Sequence, residues 1–192
     1  MKLGLALLRT IVGGLFLGHG LQKLAGRFGG HGLAGTGAFF EALGLRPGRA
    51  HAAAAGTAET AGGALLVAGA LTPVAGALLS GTMITAIRKV HGPKGPWASE
   101  GGYEYNLTLL AAVFLLADVG PGSWSLEGLL GGDRHGTRWA LAQLAAGAVG
   151  SAAAVAIGER VGAAQAESAP APGAASEDGG VPAAETQAAT GA

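Results

Sequence analysis

The chain contains no cysteine. That absence removes disulfides, thiolate zinc sites, iron–sulfur ligation and a cysteine nucleophile. It leaves the compartment open, because a chain without thiols can live on either side of a membrane. Charge is scarce as well. Asp, Glu, Lys and Arg make up 12% of the residues, well under the ~25% of soluble globular domains. The twelve basic and twelve acidic side chains cancel, so no global positive field exists to draw in nucleic acid. Metal is not expected either. The histidines show no short ligand spacing, and His19 with His91 on separate helices is a weak basis for a metal or haem site.

What remains is mostly Ala, Gly and Leu. Mean hydropathy is +0.42, held down by 37 glycines and a polar C-terminal tail. Four apolar stretches of helical length dominate: 3–21, 50–71, 74–90 and 105–119. About 20 residues cross a bilayer without tilt, so the fourth is at or below the limit. The pattern predicts an all-α integral membrane bundle of four helices. Arg9 interrupts the first stretch, and no small-x-small site follows it, so that stretch reads as a retained helix, not a cleaved signal.

Between the first and second stretches, Thr36 to Leu43 is too short to span. Phe39, Phe40 and Leu43 share one side and Glu41 opposes them, as in a re-entrant or interfacial helix. Gly44 and Pro47 stop it. Ser123 to Glu127 reads as a capped interfacial turn, with Ser123 as N-cap. An Ala/Gly-rich stretch at 139–158 is long enough to form a fifth span. The expected organisation is a membrane domain over 1–130, a linker with this fifth segment over 131–161, and a disordered Ala/Pro/Gly-rich tail over 162–192.

Lys23, Arg27, Arg46, Arg49, Arg88, Lys89 and Lys94 sit in or beside the first and third loops. Lysine and arginine favour the cytoplasm, so these loops are expected there, in a multi-pass plasma-membrane protein. Charges inside a span are rare, each costing about 2.5–3.5 kcal/mol near a helix centre. Arg9, His19 and Lys23 fall on one arc of the first helix, and Glu59 lies near the middle of the second. Depth counting places Glu59 between Arg9 and His19, so one of these is its expected partner. Gln22, Lys23, Arg88, His91, Tyr103, Glu104 and Asn106 gather at the same face. Together they predict a polar pocket open to the first loop. A plain alternative stands beside it: Arg9 and Glu59 only lock two helices in register, and Tyr103 and the tryptophans only anchor the interface.

Other signals carry less. His31-Gly32 and the glycines around them fit GxGxxG, but no strand precedes them and a dinucleotide site is rejected. His31, His51 and His135 have no assignable role, and Glu41 reads as a solvated face.

Several short pieces resemble the DoxX family of small bacterial membrane proteins. They are Leu7-Leu8-Arg9, Phe16-Leu17-Gly18-His19-Gly20-Leu21-Gln22-Lys23-Leu24, Phe28-Gly29-Gly30, Gly35-Thr36-Gly37-Ala38-Phe39-Phe40, Ala58-Glu59-Thr60-Ala61-Gly62-Gly63, Gly101-Gly102-Tyr103-Glu104-Tyr105 and Gly120-Pro121-Gly122-Ser123-Trp124-Ser125-Leu126-Glu127. They cover about residues 4–130; the fifth segment and the tail lie outside. The resemblance implies a four-helix membrane bundle in the bacterial inner membrane. It also implies membership of a redox system, as a subunit similar to the small chain of thiosulfate:quinone oxidoreductase or a partner of cytoplasmic redox-defence enzymes.

The expected function is a membrane subunit of a quinone-linked oxidoreductase system, binding a quinone or a small sulfur or thiol species. His19 is the candidate proton exchanger and Glu59 its buried partner. Arg9, Gln22, Lys23, His91, Tyr103 and Glu104 are the candidate contacts to substrate. Quinone is the one cofactor the pattern suggests. The alternative is a non-catalytic anchor and scaffold for a cytoplasmic redox enzyme, in a homo- or hetero-oligomer. A transporter is disfavoured, because no inverted repeat or broken helix pair is evident.

Overall fold

A computed structural model describes residues 3–132 and 134–168. Among them the chain is entirely helical, with seven α-helices and no strand. Two helices are long and apolar enough to cross a membrane, α1 (Leu3–Ala25) and α7 (Thr137–Glu167). Between them lie α2 (Gly32–Ala42), α3 (Gly48–Ala68), α4 (Thr72–Ala86), α5 (Glu104–Val119) and the short α6 (Leu126–Leu130).

α1 and α3 pack antiparallel over a seam of glycines. A side chain at Gly13 would collide with the backbone of Gly63 and Val67. One at Gly20 would collide with Thr60 and Gly56. Backbones this close need small residues on the facing surfaces, as membrane helix pairs use them. Gly69, in the left-handed region at φ 62°, ends α3. A short link then leads into α4, which returns antiparallel, with Pro73 in its first turn.

α7 runs parallel to α4. Gln143 accepts from Ser80 (2.9 Å), Ser151 from Thr85 (2.9 Å), and Glu159 pairs with Lys89 (3.0 Å), so the two helices keep register for four turns. α5 runs back beside both, joined to α4 through Asn106 and Met83 and to the start of α7 through Asp118 and Thr137. The core is Val12 and Phe16 of α1, Leu66 of α3, Leu79 and Met83 of α4, and Leu109, Val113 and Leu116 of α5.

Several boundaries differ from the sequence expectation. The segment expected to end at 158 continues as helix to Glu167, so residues 162–167 belong to α7 and not to the tail. Ser168 caps that helix, and the rest of the expected tail, 169–192, lies outside the described residues. The cap of α6 is Ser125, whose hydroxyl accepts from the Gly128 amide (2.9 Å), and not Ser123. Ser125 has the extended backbone that an N-cap requires.

Candidate functional site

His19, Gln22 and Lys23 stand on the last turns of α1 at spacings of three and four, so they share one side of that helix. Glu59 stands on α3, 3% exposed. Lys23 donates to it at 2.5 Å, and a quarter of the Lys23 side chain remains exposed. The expected partner, Arg9 or His19, is therefore corrected to Lys23. The reason is register. The seam sets Gly20 beside Gly56 and carries the stem of Lys23 over Gly56, one turn from Glu59. The same register sends Arg9 to the level of Gly69, ten residues beyond Glu59, or on the order of 15 Å along the helix axis.

Arg9 belongs to the opposite end of the bundle. It is 5% exposed and donates to the backbone carbonyls of Trp124 (2.7 Å) and Pro121 (3.4 Å). Beside it Glu127, also buried, accepts from the amide (2.9 Å) and hydroxyl (3.3 Å) of Thr72. These contacts clasp the link after α5 to α1, α3 and α4. Arg9 is thus not in the pocket where the sequence placed it.

Two histidines are held by one nitrogen each. His19 Nδ1 meets Gln22 Oε1 at 2.9 Å, and Gln22 Nε2 donates to the Phe28 carbonyl at 3.1 Å. A carbonyl only accepts, so the Gln22 amide group points to Phe28 and its oxygen to His19. His19 Nδ1 then carries the hydrogen and Nε2 is left for other partners. His91 repeats the arrangement, with Nδ1 at 2.7 Å from the Gly101 carbonyl. His91 closes a π-helical turn, Ile87–His91, that follows α4. Such turns re-aim side chains at the end of a helix and recur at functional sites.

His19, Lys23, Glu59 and His91 all line one cavity of about 710 Å³. Its other walls are mostly apolar, with Phe16, Phe40, Leu109 and a run of alanines. Gln22 lines a second space, about 290 Å³, that lies toward the first loop with Gly29, Gly30, His31 and Thr36. Lys23, Phe39 and Phe40 border both. Tyr103 and Glu104 line neither. Glu104 accepts from the Ala98 amide (2.8 Å), and the Tyr103 amide donates to Gly95 (3.1 Å), so both shape the loop whose Gly101 carbonyl holds His91.

The cavity also contains residues that sequence reasoning passed over. His51 is one, and its spacing of eight residues before Glu59 on α3 was a usable signal, since two turns of helix return to the same face. Tyr105 is another, next to the anticipated Asn106. The contribution of Ser151 and its neighbours on α7 had no local signal. No cluster of metal-holding side chains occurs among the described residues.

The DoxX family matches residues 4–92 of the chain. A protein of Bacillus subtilis (strain 168) carrying the name "Putative oxidoreductase CatD" is 36% identical over 114 residues, which is 59% of this chain and 78% of that protein. No solved structure matches. The matched stretch contains His19, Gln22, Lys23, Glu59 and His91; Asn106, the other anticipated residue that borders the larger cavity, lies beyond it. With this share of the relative covered at this identity, the chain belongs to the membrane-associated DoxX family.

Proposed function

We propose that the chain is a membrane subunit of an oxidoreductase system and that its larger cavity receives the head group of a quinone. In this reading α1, α3, α4 and α5 cross the bilayer and α7 crosses as a fifth span. The carrying observation is the combination in one cavity: about 710 Å³ of mostly apolar wall, a buried Glu59 paired with the half-buried Lys23, and two histidines whose Nε2 is unused. A quinone ring needs apolar surface for its body and proton-exchanging groups at two oxygens. Imidazoles serve as general acids and bases, so His19 and His91 are the proton-exchanging groups of this reading and Lys23–Glu59 the adjoining relay. Pockets that enclose drug-sized molecules run about 300–1,000 Å³, so a small sulfur or thiol species would underfill this one.

The test is mass spectrometry and an absorbance spectrum of gently solubilised protein, beside its Glu59→Gln variant. Quinone bound to the parent and lost from a folded variant supports the reading. A parent that stays empty when quinone is supplied in excess overturns it.

A scaffold reading rests on a different observation. Phe28, 74% exposed at φ 51°, and Trp97, 62% exposed, stand on the loops beside α1 and α4, with Arg27 and Lys94 near them in sequence. A soluble redox enzyme that copurifies, and is released by Phe28→Ser with Trp97→Ser, would favour it.

A further inference from the structure

The lining of the large cavity falls into two groups by helix, and the part beside each group is taken as a lobe. One lobe lies within α1, α3, α4 and α5 and holds His19, Lys23, Glu59 and Asn106. The other lies between α3, α4 and α7, with walls of Ala55, Ala58, Gly81, Gly147, Gly150 and Ala154. α4 floors this second lobe, because Gly81 and Gly147 bring α4 and α7 into backbone contact. Beyond the lobe, next to the Lys89–Glu159 pair, Gly158 of α7 packs on Leu45 and His51. Sideways it is open: Ala54, Ala146 and Gly150 are exposed.

We propose that this second lobe holds the apolar chain of the carrier whose head group occupies the first, so that the substrate class is a long-chain, bilayer-borne quinone and not a water-soluble one. The inference rests on the quinone reading above. Small residues alone would say only that helices approach each other. Here they line volume that is continuous with the polar lobe. The hydroxyls nearby ask for no ligand, since Thr85 and Ser151 bond each other at 2.9 Å. A hydrocarbon chain suits such walls, and gains roughly 0.8 kcal/mol per buried methylene where the alternative is water. The lateral opening lets the chain enter from the bilayer while the head reaches Glu59, without passage through either aqueous face. α7 lies beyond the family-matched residues 4–92, so the outer wall of the slot is supplied by a part of the chain outside that match.

The experiment uses the full chain in lipid nanodiscs and a benzoquinone whose decyl chain ends in a photoreactive diazirine. After irradiation, adducts are mapped by peptide mass spectrometry. Expected are adducts within residues 54–58 and 146–154, reduced several-fold by excess unlabelled decyl-benzoquinone and far less by methyl-benzoquinone. Gly150→Phe should reduce them several-fold too, since a Cβ there meets nothing within 4 Å and the ring can enter the slot without disturbing the bundle. Gly14→Phe is the control, equally free of contacts but on α1. Head-group binding with no slot adducts, or slot adducts indifferent to Gly150→Phe, overturns the chain assignment and leaves the quinone reading standing. Slot adducts that unlabelled quinone cannot displace mark an acyl chain of the bilayer there, and also overturn it. If neither decyl- nor methyl-benzoquinone binds, both readings fall.

Discussion

A carboxylate that is 3% exposed on a helix of Ala, Gly and Leu depends on what neutralises it. Lys23 does so from the neighbouring helix, reaching Glu59 with its own stem half sunk. Removing one partner is therefore worse than removing both. Lys23→Met should cost more than Glu59→Gln, because Glu59 is the more deeply buried of the two. Each should lose about 1–4 kcal/mol, and the double variant should lie closer to the parent than either single one. Thermal unfolding of all four proteins in one detergent closes the cycle, and strictly additive losses would show that the pair does not couple. Gln22→Met should act differently. It releases His19 Nδ1 and the Phe28 carbonyl, weakening quinone binding by about 2- to 10-fold while leaving the unfolding free energy within about 1 kcal/mol of the parent's. Equal binding by both proteins would mean that the His19 tautomer does not matter. The sequence made Glu59 visible as a buried charge in need of a partner. It could not name the partner, because counting residues by depth ignores how the helices slide, and the glycine seam decides that.

At the scale of helices, that seam makes a sharp demand. Gly13 has the Gly63 carbonyl and the Val67 backbone within 3 Å of where a Cβ would stand, and Gly14 next to it has nothing within 4 Å. Gly13→Leu should push α1 off α3, break the Lys23–Glu59 register and cost at least the 1–3 kcal/mol of an overpacked core. Gly14→Leu should be nearly silent. Folded yield and unfolding temperature in detergent compare the two, and similar losses would refute this assignment of faces. The far end of the bundle is held by the fork of Arg9 on Pro121 and Trp124. Arg9→Met should cost about 1–3 kcal/mol by orphaning two carbonyls, and Arg9→Lys should recover only part of that, lacking the planar fork. Element existence was legible because apolar length and Gly/Pro punctuation mark it. Element ends were less so. Gly and Ala carry no outward signal that a helix stops, which is why α7 ran past the expected 158 to Glu167. The role of α7 in the cavity was hidden for a related reason: Gly147 and Ala154 look alike whether they face lipid, a helix or a void.

For the whole molecule, eight of the twelve Lys and Arg residues, at 23, 27, 46, 49, 88, 89, 94 and 160, fall at the end of the bundle that carries Lys23 and the cavity. Only Arg9, Arg134 and Arg138 of the described residues lie toward the other. If the helices cross a bilayer, the positive-inside tendency places the cavity mouth and the loop around Trp97 in the cytoplasm. The absence of cysteine makes this directly measurable, since a single introduced thiol is the only one present. Ser99, Ser123 and Ala166 are exposed and sit after α4, after α5 and near the end of α7. In intact bacterial cells, a membrane-impermeant maleimide should label Ser123→Cys and spare Ser99→Cys and Ala166→Cys until the cells are opened. Labelling of Ser99→Cys but not Ser123→Cys would invert the orientation, and would put the proton-exchanging end of the cavity outside. Ala166 tests whether α7 crosses as a fifth span. Because α7 runs parallel to α4 and pairs with it from Gln143 to Glu159, crossing by one requires crossing by the other, and Ala166 must share the compartment of Ser99. If Ala166→Cys labels together with Ser123→Cys, α7 lies along the outer surface. The slot it forms with α3 would then face water and could not receive a chain from the bilayer.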